Sequence, residues 1–187
     1  MMIIAGIDYS IACPAMVYGD SCINSFDELK ILTFATKKRH MSLHKNLTLL
    51  DYPLYKSNEE RYDKVSDYFF KKIIEEKIER VLIEGYSYNS IAGQVFNIAE
   101  NCEVLKYKLY KAGIEYSDVP PATIKKFFTG RGNCNKGIMY TSFMDKHKTY
   151  DLHLTINEKT SNPDTIGNPV SDIIDAYAIW LYNKETL

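Results

Sequence analysis

The segment Met1–Ser10, MMIIAGIDYS, carries the information that decides the architecture. It is a short apolar run of the kind a buried strand needs, and strand side chains alternate between two faces. Ile3, Ala5 and Ile7 therefore point one way, while Ile4, Gly6 and Asp8 point the other. A carboxylate ends the strand on a half-buried face, where a purely structural chain would prefer an apolar or small residue. With Gly6 and Pro14 as punctuation, Met1 to Tyr18 reads as two strands with a bend near Ser10 to Pro14. KILTFAT, residues 30–36, alternates well enough for a third. Short connections join these strands into an antiparallel meander.

Further along, Ser57 followed by Glu60 has the form of a capping box. Tyr62, Val65, Phe69 and Ile73 then recur at helical spacing, which predicts a helix over 58–78. RVLIE, residues 80–84, is a short buried strand. Ile91, Val95, Ile98, Cys102, Leu105 and Leu109 define a second long helix, 91–111, stopped by Gly113. A strand over 114–119 follows, then helices over 121–128 and 136–147. A long loop ending in Gly167-Asn168-Pro169 leads to a last helix, 170–183. The order predicts an α/β fold: a mixed five-stranded sheet, three antiparallel strands and then parallel ones, flanked by helices. Parallel strands need a crossover, and helix 91–111 supplies one.

The 187 residues suit one domain, 1–187, and 45% hydrophobic with 25% charged residues excludes a disordered chain, a collagen and a coiled-coil rod. No apolar run reaches the roughly 18 residues of a membrane span, and the N-terminus lacks the basic flank of a signal peptide. Cys13, Cys22, Cys102 and Cys134 have neither CxxC pairing nor zinc-ligand spacing, so reduced thiols and an intracellular location are expected. The 23 Lys and Arg against 24 Asp and Glu give a formal net charge of −1, which excludes DNA binding by bulk charge. The distribution is uneven. Between Pro121 and Lys148 six basic residues, Lys125, Lys126, Arg131, Lys136, Lys146 and Lys148, face Asp145 alone; elsewhere 17 basic residues face 23 acidic ones. That segment concentrates phosphate-binding capacity, with Gly130 and Gly132 allowing close backbone approach and Lys136 near a helix N-terminus. A solvated helical face with a glycine turn is the plainer alternative.

Asp8 is joined by Glu84, which ends the strand 80–84 in the same way. If the two strands are parallel neighbours, both carboxylates reach the C-terminal edge, where open α/β sheets place their sites. Asp172 and Asp175 share one face of the last helix, and Ile173, Tyr177 and Trp180 form the opposite, core-facing stripe. Singly, such residues serve as turn caps or dipole partners. Four converging carboxylates repel one another unless cations hold them, and hard oxygen donors suit Mg²⁺ or Mn²⁺. Two such ions about 4 Å apart support phosphodiester hydrolysis.

GIDYS on the first strand, IEGYSY at a later one and SDIIDAYAIW on the last helix resemble the RuvC-type Holliday junction resolvases. Residues 119–136, VPPATIKKFFTGRGNCNK, are similar to that family's P-x-x-hydrophobic-K-K…T-G-x-G-x-A-x-K segment. The resemblance implies an RNase H-like fold, with Asp8, Glu84, Asp172 and Asp175 as catalytic ligands of two Mg²⁺ ions, which Mn²⁺ can replace. It implies paired nicks in branched DNA, a four-way junction above all, each leaving a 5′-phosphate and a 3′-hydroxyl. It also implies a homodimer and DNA contacts by Lys125, Lys126, Arg131 and Lys136. Family members place an aromatic ring three residues after the strand Glu. Ser87 stands there, between Tyr86 and Tyr88, and either ring is a candidate wedge at the junction. Residues 37–56, with His40 and His44, form a longer connection than the compact bacterial form has. His40 and His44 are expected at the surface and Cys102 in the core. The apolar seam of 91–109 is expected to cover the sheet. A composition rich in Lys, Ile, Tyr and Asn points to an AT-rich genome, bacterial or viral, and to the cytoplasm of a bacterial or virus-infected cell. Three other readings stay open: an actin-like-ATPase-type phosphotransferase, a non-catalytic junction-binding module, and ribonuclease H activity on RNA–DNA hybrids.

Overall fold

The computed structural model of the chain describes residues 1–85, 92–148, 150–157 and 166–187. Its strands are β1 (Ile3–Asp8), β2 (Ala15–Asp20), β3 (Lys30–Phe34), β4 (Leu47–Leu50), β5 (Arg80–Glu84) and β6 (Glu115–Val119). They form one six-stranded sheet in the order β4-β3-β2-β1-β5-β6. The β1–β2 and β2–β3 pairs are antiparallel, while β1–β5, β5–β6 and β3–β4 are parallel. The meander and the parallel half are as expected, but five strands is a correction: among the described residues there are six. The sixth lies in 37–56, where LTLL offers only four residues, too few for a clear alternation. Its strand character comes from its partner, since Ile31 N donates to Asn46 O and Ala35 N to Leu50 O, both at 2.8 Å.

The helices are α1 (Asn58–Glu75), α2 (Ala92–Ala112), α3 (Pro121–Thr129), α4 (Lys136–Lys146), α5 (Leu152–Thr155) and α6 (Val170–Glu185). Ser57 caps α1 by accepting from Glu60 N at 3.3 Å. The helix ends at Glu75 rather than near 78 because Lys77 turns to φ +54° and Ile78 is already returning to the sheet. The short α5 occupies part of the stretch expected to be loop. The peptide bond Asn168–Pro169 is cis.

The sheet has two covered faces. Ala5, Ile7, Met16, Leu32, Phe34, Val81 and Ile83 meet α1 and α2, with Cys102, Leu105 and Leu109 on the sheet as their spacing predicts. Ile4, Ala15, Val17, Ile31 and Leu82 face α3, α4 and α6, where Ile173, Tyr177 and Trp180 are buried. Asp8 and Glu84 belong to this second face by alternation. The helix α6 is buried nearly all round, and Asn183 Nδ2 even donates to Ala5 O at 2.9 Å. It passes so close over β1 that a Cβ on Gly6 would lie 2.1 Å from Trp180 N and 2.6 Å from Ala176 O. Only glycine permits that approach, and the approach is what lowers the start of α6 onto the end of β1.

His40 is not at the surface. It is 7% exposed, and its Nδ1 accepts from Thr36 N at 3.3 Å. His44 is half-buried, with Nδ1 accepting from Asn46 N at 3.3 Å and its ring edge-on to Tyr150. Both rings are engaged with their own loop, whose backbone is folded back on β3 by β4. Among the described residues no helix is long and apolar enough to cross a membrane.

Candidate active site

The parallel pairing of β1 with β5 sets Ile7 opposite Ile83, so Asp8 and Glu84 leave the sheet side by side at its C-terminal edge. Ala5 and Ile7 hold one face of β1 in the α1/α2 core while Gly6 admits α6 on the other. The first turns of α6 thereby carry Asp172 and Asp175 to the same edge. Asp8 and Asp172 are buried, whereas Glu84 and Asp175 keep part of their surface in water. The four carboxylates act on one another.

Burial, followed by the charges of Glu84, Asp172 and Asp175, raises the proton affinity of Asp8 well above the carboxylate range; Lys136 opposes this. Glu84 is pushed up to about 7 by burial and by Asp175 and Asp172, against Lys125. Asp172 is pushed up to about 6 by burial, although Lys136, Ser10 and Ser171 all favour its charged form. Burial and Asp172 push Asp175 up to about 6, with Lys125 and Lys136 opposing. Perturbation of this kind marks sites built for charge chemistry.

Several polar groups that spacing alone does not reveal hold Asp172 in place. Ser10 Oγ donates to Asp172 Oδ1 at 3.2 Å, and Cys13 N donates to Ser10 Oγ at 3.2 Å. Ser171 Oγ lies 3.2 Å from Asp172 Oδ2 and 2.9 Å from Asn168 Oδ1, with one proton to give to either. Lys136 Nζ donates to Ser171 Oγ at 3.0 Å and to Asn168 Oδ1 at 3.3 Å. Ser10 and Ser171 stand inside the acidic motifs, so a small hydroxyl beside each acid is a signal in the sequence. The pairing of Ser10 with Asp172 across 162 residues is not.

The basic segment divides. Lys136 starts α4 behind the N-cap Asn135, whose side chain accepts from Ile138 N at 3.0 Å. Lys136 and Lys125 act on the acidic group. Lys126 does not: it lines a separate groove with Phe127, Gly132 and Tyr182, toward the far end of α6. Arg131 is exposed on the loop after Gly130, which closes α3 at φ +80°. Tyr86 and Tyr88 lie outside the described residues. A cleft of about 530 Å³ adjoins the acids, with Ser10, Asn58, Arg61, Lys136, Asn168 and Asp172 on its walls. Among the described residues no three His, Cys, Asp or Glu side chains stand close enough to enclose an ion by themselves.

A mixed sheet with an antiparallel meander, a parallel half and carboxylates at the end of β1 defines the class: the chain has the fold of the RuvC-type Holliday junction resolvases. It is similar to Thermus thermophilus RuvC at 17% identity, over 96% of this chain and 92% of that one, with a TM-score of 0.60. Against T. thermophilus RuvC in complex with Holliday junction substrate the values are 14%, 100% and 97%, and 0.64. Against the yeast mitochondrial Holliday junction resolvase Ydc2 they are 15%, 98% and 80%, and 0.56. At these identities the likeness is one of fold. No protein-family model matches the chain, and no curated protein matches it in sequence.

Proposed function

We propose that the protein is a divalent-metal-dependent endonuclease that cuts branched DNA, resolving four-way junctions by paired nicks. One observation carries this reading: four carboxylates from β1, β5 and α6 crowd one buried sheet edge with too little positive charge to offset them. Such a donor set fits a hard cation, which would relieve the repulsion that now raises every proton affinity. Mg²⁺ ordinarily keeps several waters and takes one or two carboxylates plus substrate phosphates, a mode that this donor set would suit. Asp8, Glu84, Asp172 and Asp175 would hold two Mg²⁺ ions, or Mn²⁺ in their place.

A bound Mg²⁺ would supply acidification of water and charge neutralisation at the leaving oxygen. The protein's own side chains do the rest. Ser10 and Ser171 fix the carboxylate plane of Asp172. Buried Asp8 and Asp172 anchor the site, and the partly exposed Glu84 and Asp175 face the substrate. Lys125 and Lys136 draw the scissile phosphate over the acids and screen its charge. Water then attacks phosphorus in line, and the 3′-oxygen leaves, giving a 5′-phosphate and a 3′-hydroxyl. No side-chain nucleophile is involved.

Lys126 and Arg131 extend the phosphate track along an arm, and Tyr86 or Tyr88 stacks on a base freed at the branch point. A homodimer matches the two-fold symmetry of the junction and brings one site to each of two strands. The exposed rings of Phe96, Tyr107 and Tyr110 on α2 offer apolar surface for the second copy. The test uses labelled four-way junction, flap, duplex and RNA–DNA hybrid, each with and without Mg²⁺. The expected result is symmetric nicking of the junction, with Mg²⁺ only. Junction binding without nicking under either condition would leave a binding module, and preferential cutting of hybrid would make the protein a ribonuclease H.

A further inference from the structure

We infer that the cleft beside the acids takes a second phosphodiester of the bound strand, next to the one that is cut, and that Arg61 grips it. The inference rests on the nuclease reading and adds a contact that neither the sequence motifs nor the basic segment supplies. Arg61 lies in the first turn and a half of α1, on the wall of the cleft facing Asp172 and Lys136. Its Nε donates to Tyr52 Oη at 2.9 Å, and Tyr52 Oη donates to Ile11 O at 2.9 Å. One terminal amino group of the same guanidinium donates to Ile11 O as well. The guanidinium carbon lies 5.4 Å from the Tyr52 ring centre and 5.2 Å from that of Tyr55.

These partners are all neutral, and among the described residues no carboxylate pairs with Arg61. A guanidinium carries five N–H donors. Two are taken by Tyr52 and Ile11, so three remain for an oxygen-rich anion. The cleft thus presents two cations, Arg61 and Lys136, against the single carboxylate of Asp172. It is furnished for negative charge. A strand with one phosphate at the acids has its neighbouring phosphate close by, and a planar fork recognises two phosphate oxygens together. Two rings and a closed set of hydrogen bonds hold the fork still, so little side-chain freedom is lost on binding. Tyr52 and Tyr55 belong to the stretch 37–56. That stretch therefore gains a role: it aims Arg61.

The rival role for Arg61 is to brace the loop of Ile11 and hence Ser10. Binding to four-way junction, duplex and single strand, measured in Ca²⁺ across a salt series, separates the two roles. Arg61→Gln should weaken binding about threefold to tenfold and lower the slope of log K on log salt by about 0.9 on duplex arms. Arg61→Lys should keep the slope while losing part of the affinity. Tyr52→Phe removes the Tyr52 share of the brace and keeps the charge, so its slope should equal that of the parent. A parental slope in Arg61→Gln, with cleavage reduced alike in Arg61→Gln and Tyr52→Phe, overturns the phosphate contact and leaves the brace. If the parent bound and cut no branched DNA but bound duplex, the nuclease reading would fail while the Arg61 slope still decided this one. Failure to bind any DNA would end both.

Discussion

Replacing Glu84 by Gln removes one charge from the acidic group with almost no change of shape, and its effect on the metal-free protein follows from the site's electrostatics. Burial and the neighbouring Asp175 and Asp172 carry Glu84 from its ordinary value of 4.5 to about 7. The folded protein thus holds this proton more tightly than the unfolded chain. The sign follows: stability is lost as pH rises from about 4.5 to about 7, and above that the loss is complete. At 1.36 kcal/mol per pH unit the whole displacement is worth about 3 kcal/mol. Glu84 keeps part of its surface in water and titrates together with its neighbours, so about 1–2 kcal/mol is the expected gain on neutralising it. For a chain of this size each 1 kcal/mol moves Tm by about 2–4 °C. In EDTA at pH 8, Glu84→Gln should melt about 3–6 °C above the parent, and near pH 4.5 the two should coincide. Saturating Mg²⁺ should narrow or reverse the gap, because it stabilises the parent by binding. Junction nicking should be lost in the same variant. A difference in Tm that is equal at pH 5 and pH 8, or a variant less stable than the parent at pH 8, would refute the account of the acidic edge.

Gly6→Ala should cost about 3 kcal/mol or more in urea unfolding, since its Cβ would strike the α6 backbone 2.1 Å away; a loss below about 1 kcal/mol would mean that α6 does not cross β1 there. Lys126→Ala and Lys136→Ala should each lower the salt slope of DNA binding by about 0.9, but only Lys136→Ala should also slow nicking at saturating DNA. Equal catalytic losses would place Lys126 at the acids. The nicking rate at limiting Mg²⁺ should climb from about pH 5.5 to about pH 7.5, as Asp172 and Asp175 at about 6 and Glu84 at about 7 ionise. A rate flat across that range would detach these carboxylates from the metal. Tyr86→Ala or Tyr88→Ala should reduce junction cleavage about tenfold, the worth of one lost base stack, with duplex affinity unchanged.

The periodicities in this chain are local and strong, and so most elements are legible from the residues alone. Alternation in IIAGID and RVLIE sends Asp8 and Glu84 to one face, and the 3.6-residue repeat sets Asp172 with Asp175. The acidic set, the two buried sheet faces and the role of Cys102 all follow from spacing. What escaped is long-range. LTLL becomes β4 only because Lys30–Phe34 presents an open edge, and His40 is buried only because β4 folds its loop back. Ser10 meets Asp172, and Arg61 meets Tyr52 and Ile11, through contacts between distant segments that no spacing encodes. Lys125 and Lys126 are adjacent in sequence, yet a rotation of about 100° per helical residue turns one to the acids and the other to a separate groove. Residue pattern determines which face a side chain takes, because that depends on a few neighbouring dihedral angles. Which groups then meet, and at what proton affinity, depends on how closely the elements pack. Here that closeness comes from the missing Cβ of Gly6, which lets α6 bring its two carboxylates down onto the end of β1.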